Sequence, residues 1–156
     1  MSSVATTKSL KTEMDEHIGR FADKKPDWEA FPDSKKNKRA QLRYVGAGGG
    51  TPDRWALGDF VPARNFTVSV VYVPPGGGGD LHGHKEEEVF FCLEGAITVS
   101  WARDGEIIET GLNAKDMIMN PPGHMHGYRN NGVEPAYLMI MLGSGRPAPA
   151  IFADSL

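Results

Sequence analysis

The sequence predicts an all-β domain whose strands are joined by short turns. Three segments are rich in β-branched or apolar residues, NFTVSVVYV at 65–73, EVFFCL at 88–93 and AYLMIML at 136–142, and such composition is typical of strands. Turn signals separate them, because the 156 residues include 19 glycines and 11 prolines and Asp104-Gly105 is a two-residue hairpin signal. This length suits one domain with a sizeable core.

We divide the chain into an N-terminal arm over 1–40, a β-barrel over 41–143 and a C-terminal tail over 144–156. The arm is predicted to hold one short amphipathic helix, which packs on the barrel or on a partner subunit, because its apolar residues recur at helical spacing: Leu10, Met14, Ile18 and Phe21. The polar segment that follows reads as an extended linker, and we interpret its basic run from Lys35 to Arg39 as a solvated connector. In the tail, Ile151 and Phe152 form a candidate anchor.

Strands are expected in the barrel at 41–45, 65–73, 88–93, 96–101, 106–110, 116–120, around 126–130 and at 136–142. The glycine-rich segment 46–51 does not match a dinucleotide-binding loop, since the third glycine is absent. We therefore predict a flexible loop there that could act as a lid, followed by a short extended piece at 55–58.

Residues with metal-ligand side chains converge in the middle of the chain. His82 and His84 are two residues apart, so they point to the same face of an extended chain. Glu88 keeps that parity in an unbroken strand, and a later strand delivers His126. Imidazole and carboxylate donors suit a divalent transition metal, whereas a calcium site would use more carboxylates.

These residues resemble the paired signature motifs of the cupin superfamily. The first motif, G-x5-HxH-x3-E-x6-G, is matched by Gly76, His82, His84, Glu88 and Gly95. The second, G-x5-PxG-x2-H-x3-N, is matched by Pro121, Gly123, His126 and Asn130, with Lys115 in place of the leading glycine. The resemblance covers roughly 70–142. It implies a single cupin barrel, a double-stranded β-helix or jelly roll, in which His82, His84, Glu88 and His126 hold one metal ion.

The resemblance also implies a metal-dependent enzyme. Fe(II) is the favoured metal, and Mn, Ni, Co, Cu or Zn would also suit the donors. The first expectation is a dioxygenase that uses O2 to cleave a small diketone, phenolic or hydroxy-ketone substrate. A redox-neutral isomerase, cyclase, lyase or decarboxylase, with the metal as Lewis acid, remains an alternative, as does a non-catalytic cupin that binds a small molecule.

Two further residues are candidates for proton handling. Tyr128 shares the parity of His126 and could hydrogen-bond a bound oxygen. His124 could be a fifth ligand or a proton carrier, and a position at the rim of the site is favoured because it lies in the turn. We expect Tyr128 and Cys92 to form pocket walls. Inward-facing Phe90 and nearby methionines, Met117, Met119, Met139 and Met141, suggest a largely apolar pocket.

The outward face of the strand at 88–93 is apolar, and such a face needs a cover. Val89, Phe91 and Leu93 therefore predict a homodimer interface or a docking face for the N-terminal arm. A net charge of −3 offers no basic excess for nucleic acid, and no apolar run approaches the ~18 residues that span a bilayer. With Cys92 as its single cysteine, the chain fits a reducing cytoplasm.

Overall fold

The computed structural model describes residues 7–50 and 59–153. A short α-helix, α1 (Leu10–Asp15), and a 3-10 turn (Phe21–Asp23) precede ten strands. The strands are β1 (Ala40–Val45), β2 (Thr67–Val73), β3 (Gly78–Gly83), β4 (Glu88–Glu94), β5 (Ala96–Arg103), β6 (Glu106–Asn113), β7 (Met117–Asn120), β8 (Met125–Arg129), β9 (Ala136–Leu142) and β10 (Ile151–Phe152). The predicted extended piece at 55–58 lies outside the described residues.

The strands form two five-stranded sheets, ordered β1-β2-β9-β4-β7 and β10-β3-β8-β5-β6. Neighbouring strands in both sheets pair in antiparallel register. The two sheets enclose the core between them, so the chain forms the jelly-roll barrel that the motifs implied, and the helical arm is a minor addition. The predicted all-β fold is confirmed.

The core comes from strict alternation along the strands. In β2 and β9 every second residue is buried, because successive side chains of a strand point to opposite faces. The buried cluster includes Val71, Val73, Phe90, Cys92, Ile97, Val99, Leu138 and Ile140. A shift of register by one residue would expose this whole set, so the burial pattern fixes the strand register.

The outer face of the first sheet is also apolar. As predicted from parity, Phe90 and Cys92 are buried, while Val89 and Phe91 are half-buried and Leu93 is 38% exposed. The methionines predicted beside the pocket lie on this outer face, where Met119 and Met141 pair with Val89. That expectation was wrong, because these methionines share the parity of the outward residues of β4 and not that of Phe90.

The N-terminal helix is shorter than its apolar stripe suggested. Ser9 caps α1 by accepting a hydrogen bond from the backbone of Thr12, and the helix ends at Asp15. None of the residues of α1, all of which the structure describes, is buried. The arm touches the barrel farther on, where the ring of Phe21 meets Tyr137 at 5.8 Å.

The linker ends in a buried arginine, although its basic run was expected to be solvated. Arg39 is 1% exposed and donates hydrogen bonds to the Gly78 carbonyl and the Asp33 carboxylate. Its guanidinium also lies 3.9 Å from the centre of the Phe31 ring, a favourable cation–π contact. Burial alone would raise the pKa of Asp33, but the hydrogen bond and charge of Arg39 hold that pKa below its usual value. The hydrogen bond from Arg39 to Gly78 of β3 therefore ties the arm to the barrel.

The C-terminal tail returns to the barrel. Its strand β10 pairs with β3, with Ile151 opposite Gly83 and Phe152 opposite His82, so both candidate anchor residues join the second sheet. The tail therefore adds a strand to the barrel. The division of the chain at residue 143 stays a prediction. Within the described residues, the helices are too short and too polar to cross a bilayer. The cytoplasmic location stays a prediction.

Lys115 adopts the backbone conformation of the glycine that it replaces in the second motif. Its φ is +77°, in the left-handed region that costs a residue with a Cβ about 1–2 kcal/mol. Its amide donates to the Cys92 carbonyl at 2.7 Å, which holds the turn between β6 and β7 in place. The departure from the motif therefore leaves the turn intact and strains it locally.

We predict that Lys115→Gly stabilises the protein. The substitution removes the left-handed strain, partly offset by the greater freedom of glycine in the unfolded chain, and the expected gain is about 0.5–1 kcal/mol in the free energy of unfolding. Chemical denaturation measures it. Lys115→Ala is the matched control, because it removes the same exposed side chain and keeps the strain. Equal stability of the two variants would contradict the prediction.

Candidate metal centre

Four side chains from both sheets meet inside the barrel. His82 comes from β3 and faces His126 of β8 across the second sheet, His84 follows β3, and Glu88 begins β4 in the first sheet. Their potential ligand atoms all lie within 4.8 Å of one another, and all four residues are buried. The structure thus brings together the four residues that the motifs singled out, as a group that could hold a metal ion.

Backbone carbonyls orient two of the imidazoles. His82 Nδ1 lies 2.7 Å from the Asp80 carbonyl, and His126 Nδ1 lies 2.9 Å from the His124 carbonyl. A carbonyl oxygen can only accept, so each Nδ1 carries the proton and donates it. In a neutral ring the lone pair is then on Nε2, which points into the group. Metal-binding histidines are commonly oriented by such contacts.

The Glu88 carboxylate lies among these nitrogens. Oε1 is 2.6 Å from His126 Nε2, and Oε2 is 3.3 Å from His84 Nε2. In the neutral form of His126, its Nε2 lone pair faces a carboxylate lone pair at this distance, an arrangement that needs a proton or a metal ion between the two atoms. The donors present therefore fit a divalent transition metal.

Without a metal ion, electrostatics favour a neutral His82 and an ionised Glu88, the forms that ligands need, and they favour protonation of His84. Burial lowers the pKa of His82 to about 4, so its ring is neutral at neutral pH. Burial alone would raise the pKa of Glu88, but hydrogen bonds from His126 and His84 and their charges hold it well below its usual range. Burial opposes protonation of His84 as well, yet the hydrogen bond and charge of Glu88 raise the pKa of that histidine. A carboxylate and a neutral imidazole are the forms that bind metals.

Three members of the group, His82, His84 and Glu88, line a mainly apolar pocket. The cavity measures about 60 Å³, room for roughly four to six water molecules at ~10–15 Å³ each on this scale. Three segments outside the motifs close it: the arm at Phe31 and Pro32, the loop at Gly49 and Gly50, and the tail from Pro149 to Phe152. The Phe152 ring lies 5.3 Å from that of His82, so the tail covers the group directly.

Tyr128 and His124, the two predicted proton carriers, lie in different places. Tyr128 lines the pocket, and burial raises the pKa of its phenol to about 12, so it stays protonated at neutral pH. The His124 ring packs on Trp101 at 4.9 Å, in a separate hollow with Arg103 and Ile108. Its catalytic role stays a prediction. Cys92, the second predicted wall residue, lies in the core cluster instead.

Sequence reasoning missed two polar residues of the pocket. Arg39 and Gln41 both line it, and each is 1% exposed. The alternation of polar and apolar residues at the start of β1 normally puts polar side chains outside. Here Gln41 pairs with Val71 of the core, so the polar set faces inward. Ala40 and Leu42 are buried as well, so β1 is covered on both faces. In such a strand, alternation of polar and apolar residues does not show which side chains point inward.

Comparison with known proteins agrees with this geometry. A family model described as "Cupin domain" matches residues 69–142. A germin-like protein, 5-1, of Oryza sativa subsp. japonica is 33% identical over 90 residues, which are 55% of this chain and 39% of that protein. This chain therefore spans about two fifths of the length of that curated relative.

Solved structures share the fold at low sequence identity. The polyketide cyclase RemF from Streptomyces resistomycificus has a TM-score of 0.63 and 20% identity, covering 87% of this chain and 84% of its own. An RmlC-like cupin from Shewanella frigidimarina has a TM-score of 0.57 and 17% identity, covering 90% and 96%. Likeness at this identity concerns the fold. The match of residues 69–142 to the cupin family model, together with the three histidines and one glutamate that this segment brings together in the barrel, places this part of the chain in the cupin superfamily.

Proposed function

We propose that this protein is a metalloenzyme that holds one divalent transition metal, preferably Fe(II), through His82, His84, Glu88 and His126, and uses O2 to cleave a small oxygenated substrate. The observation that carries the proposal is the buried group of four ligand atoms within 4.8 Å, three of whose residues, His82, His84 and Glu88, line a mainly apolar pocket. The substrate class is a diketone, a phenol or a hydroxy-ketone.

When bound, Fe(II) would supply one-electron chemistry together with coordination positions open to substrate and O2. The task of the chain is to bind, orient and exclude water. Phe90, Ile140 and Phe152 give the pocket its apolar wall, which suits an uncharged ring or short carbon chain. Exclusion of water also strengthens each electrostatic contact that the substrate makes inside.

The described lining residues outside the metal group offer proton donors. The phenol of Tyr128 keeps its proton because its pKa is raised to about 12, and the Arg39 guanidinium is a permanent donor. Such donors stabilise negative charge that develops on substrate oxygens.

A redox-neutral reaction is the second candidate. In an isomerase, cyclase, lyase or decarboxylase, the phenol of Tyr128 would serve as a proton donor to the substrate, and a bound metal would supply Lewis-acid chemistry. The metal in the purified protein separates the two candidates, because zinc or nickel would favour this one and iron the first. A protein that binds metal and ligand without turnover would be the non-catalytic cupin.

We predict that His126→Ala lowers metal occupancy sharply. Loss of one of four ligands should weaken binding of Fe(II) or Zn(II) by at least about 100-fold, since even partners that only orient a ligand are worth about 10–100-fold. Elemental analysis after anaerobic purification and a competitive chelator titration measure it. His124→Ala is the matched control, two residues away on the same segment, and should keep full occupancy. Full metal content in His126→Ala would contradict the assignment.

We predict O2 consumption by the Fe(II)-loaded protein with at least one member of a panel of diketones, catechols and hydroxy-ketones. An oxygen electrode measures uptake, and mass spectrometry with 18O2 should find both oxygen atoms in the cleaved products. The Zn(II)-loaded protein is the control and should consume none. Turnover with zinc in the absence of O2 would instead establish the second candidate, and no uptake with any member would contradict the first.

We further propose that two copies of this chain associate through the outer face of the first sheet. Val89, Phe91 and Leu93 form part of this apolar face. The stripe of α1 is more exposed than this face, with Leu10 82% and Met14 60% exposed. A symmetric pair would let α1 of each copy cover the sheet of the other, since a two-fold interface uses the same surfaces twice.

We predict that the protein sediments as a dimer, at twice its chain mass of 17.0 kDa, and that Leu93→Arg converts it to a monomer. A charge buried without a partner in an apolar interface strongly opposes association. Analytical ultracentrifugation measures the mass, and circular dichroism checks the fold. Ile107→Arg, on the exposed edge strand β6 of the other sheet, is the matched control and should stay dimeric. A monomeric wild-type protein would contradict the proposal.

A further inference from the structure

Gln41 lines the pocket and carries a buried hydrogen-bond acceptor without a partner among the described residues. Its side-chain amide nitrogen donates to the Gly49 carbonyl at 2.9 Å, and this contact fixes which end of the amide faces the loop. The other end, Oε1, is buried and has no donor among the described residues. Most buried polar atoms have a partner, so this acceptor calls for one.

Arg39 brings the complementary donor. Two of its guanidinium nitrogens are paired, with the Gly78 carbonyl and the Asp33 carboxylate, but Nε is buried and has no acceptor among the described residues. Arg39 and Gln41 are two residues apart on an extended segment, so they lie on the same face. Both line the pocket that His82, His84 and Glu88 also line.

We propose that Gln41 and Arg39 form a recognition site for a hydroxyl group of the substrate. A hydroxyl can donate to Gln41 Oε1 and accept from Arg39 Nε–H at the same time, so one group satisfies both orphaned atoms. The substrate class is then narrower than an oxygenated small molecule: it carries a further hydroxyl beside the oxygens that face the metal group. Polyhydric phenols and hydroxylated enols have this pattern.

The inference rests on the proposed function for the position of the substrate, and it makes Gln41 a specificity residue. A site built to hydrogen-bond a hydroxyl rejects an analogue that lacks it, because the polar groups of the site are then left unpaired. The apolar lining residues cannot discriminate in this way. If Gln41 recognises the hydroxyl, wild type should bind a ligand with this hydroxyl more tightly than an analogue without it. Replacement of the Gln41 side chain should abolish this difference in affinity.

The test compares catechol with pyrogallol, which differ by one hydroxyl. Anaerobic titrations of the Co(II)-loaded protein, followed by calorimetry and by cobalt absorption, give the affinity of each probe for wild type and for Gln41→Met. Pyrogallol has two pairs of adjacent hydroxyls and catechol one, so a statistical factor of about two in affinity is expected without any recognition. Beyond this factor, we expect wild type to bind pyrogallol about tenfold more tightly than catechol. Gln41→Met should lose this additional tenfold preference.

Loss of the Gly49 contact in Gln41→Met would weaken both probes alike, so the ratio of affinities is the measurement. Ile140→Val is the matched control, because it alters an apolar lining residue and should keep the preference. Equal affinities in wild type, or a preference that survives Gln41→Met, would overturn the inference. Failure of wild type to take up cobalt would overturn the proposed function, and the same ratio measured by calorimetry on the cobalt-free protein would still decide the role of Gln41.

Discussion

The site depends on the contacts between the ionised carboxylate of Glu88 and the histidines around it. Glu88 is 3% exposed and lies 2.6 Å from His126 Nε2, so its charge is compensated within the barrel or not at all. A buried charge without a partner is costly. The two sheets must therefore hold their spacing and register closely enough to bring nitrogens from the second sheet onto a carboxylate of the first. The jelly roll is the frame that makes this contact possible.

The orientation of the histidines follows from backbone geometry. His82 and His126 each donate to the carbonyl of the residue two positions before them, Asp80 and His124. Identical local contacts on paired strands turn both Nε2 atoms toward Glu88. A cation bound between them would be selected by donor type, since two neutral nitrogens and a carboxylate suit a transition metal better than calcium or magnesium.

The sequence predicted those parts that local periodicity and spacing determine. The strand β9 was predicted at its observed bounds, and the parity of β4 correctly separated inward Phe90 from outward Phe91. Prediction was wrong where tertiary contacts override a local pattern. Arg39 was interpreted as part of a solvated basic run. It is buried instead, because hydrogen bonds to the distant Gly78 carbonyl and to the nearby Asp33 carboxylate compensate its charge inside the protein. The methionines were assigned to the pocket by chemical type, and their strand parity puts them outside.

The pocket is closed by segments that carry none of the motif residues. Phe31 comes from the arm, Gly49 from the loop and Phe152 from the tail, and they meet over the metal group because Arg39, Gln41 and β10 each tie one of these segments to the barrel. The motif residues therefore determine what the base of the pocket can bind, and the arm, loop and tail segments shape the rest of the pocket. A fold that hosts many reactions can change substrate by changing these segments alone. This is why the four candidate ligands are readable from spacing, while the place of Arg39 and Gln41 in the pocket lining emerges only from the folded chain.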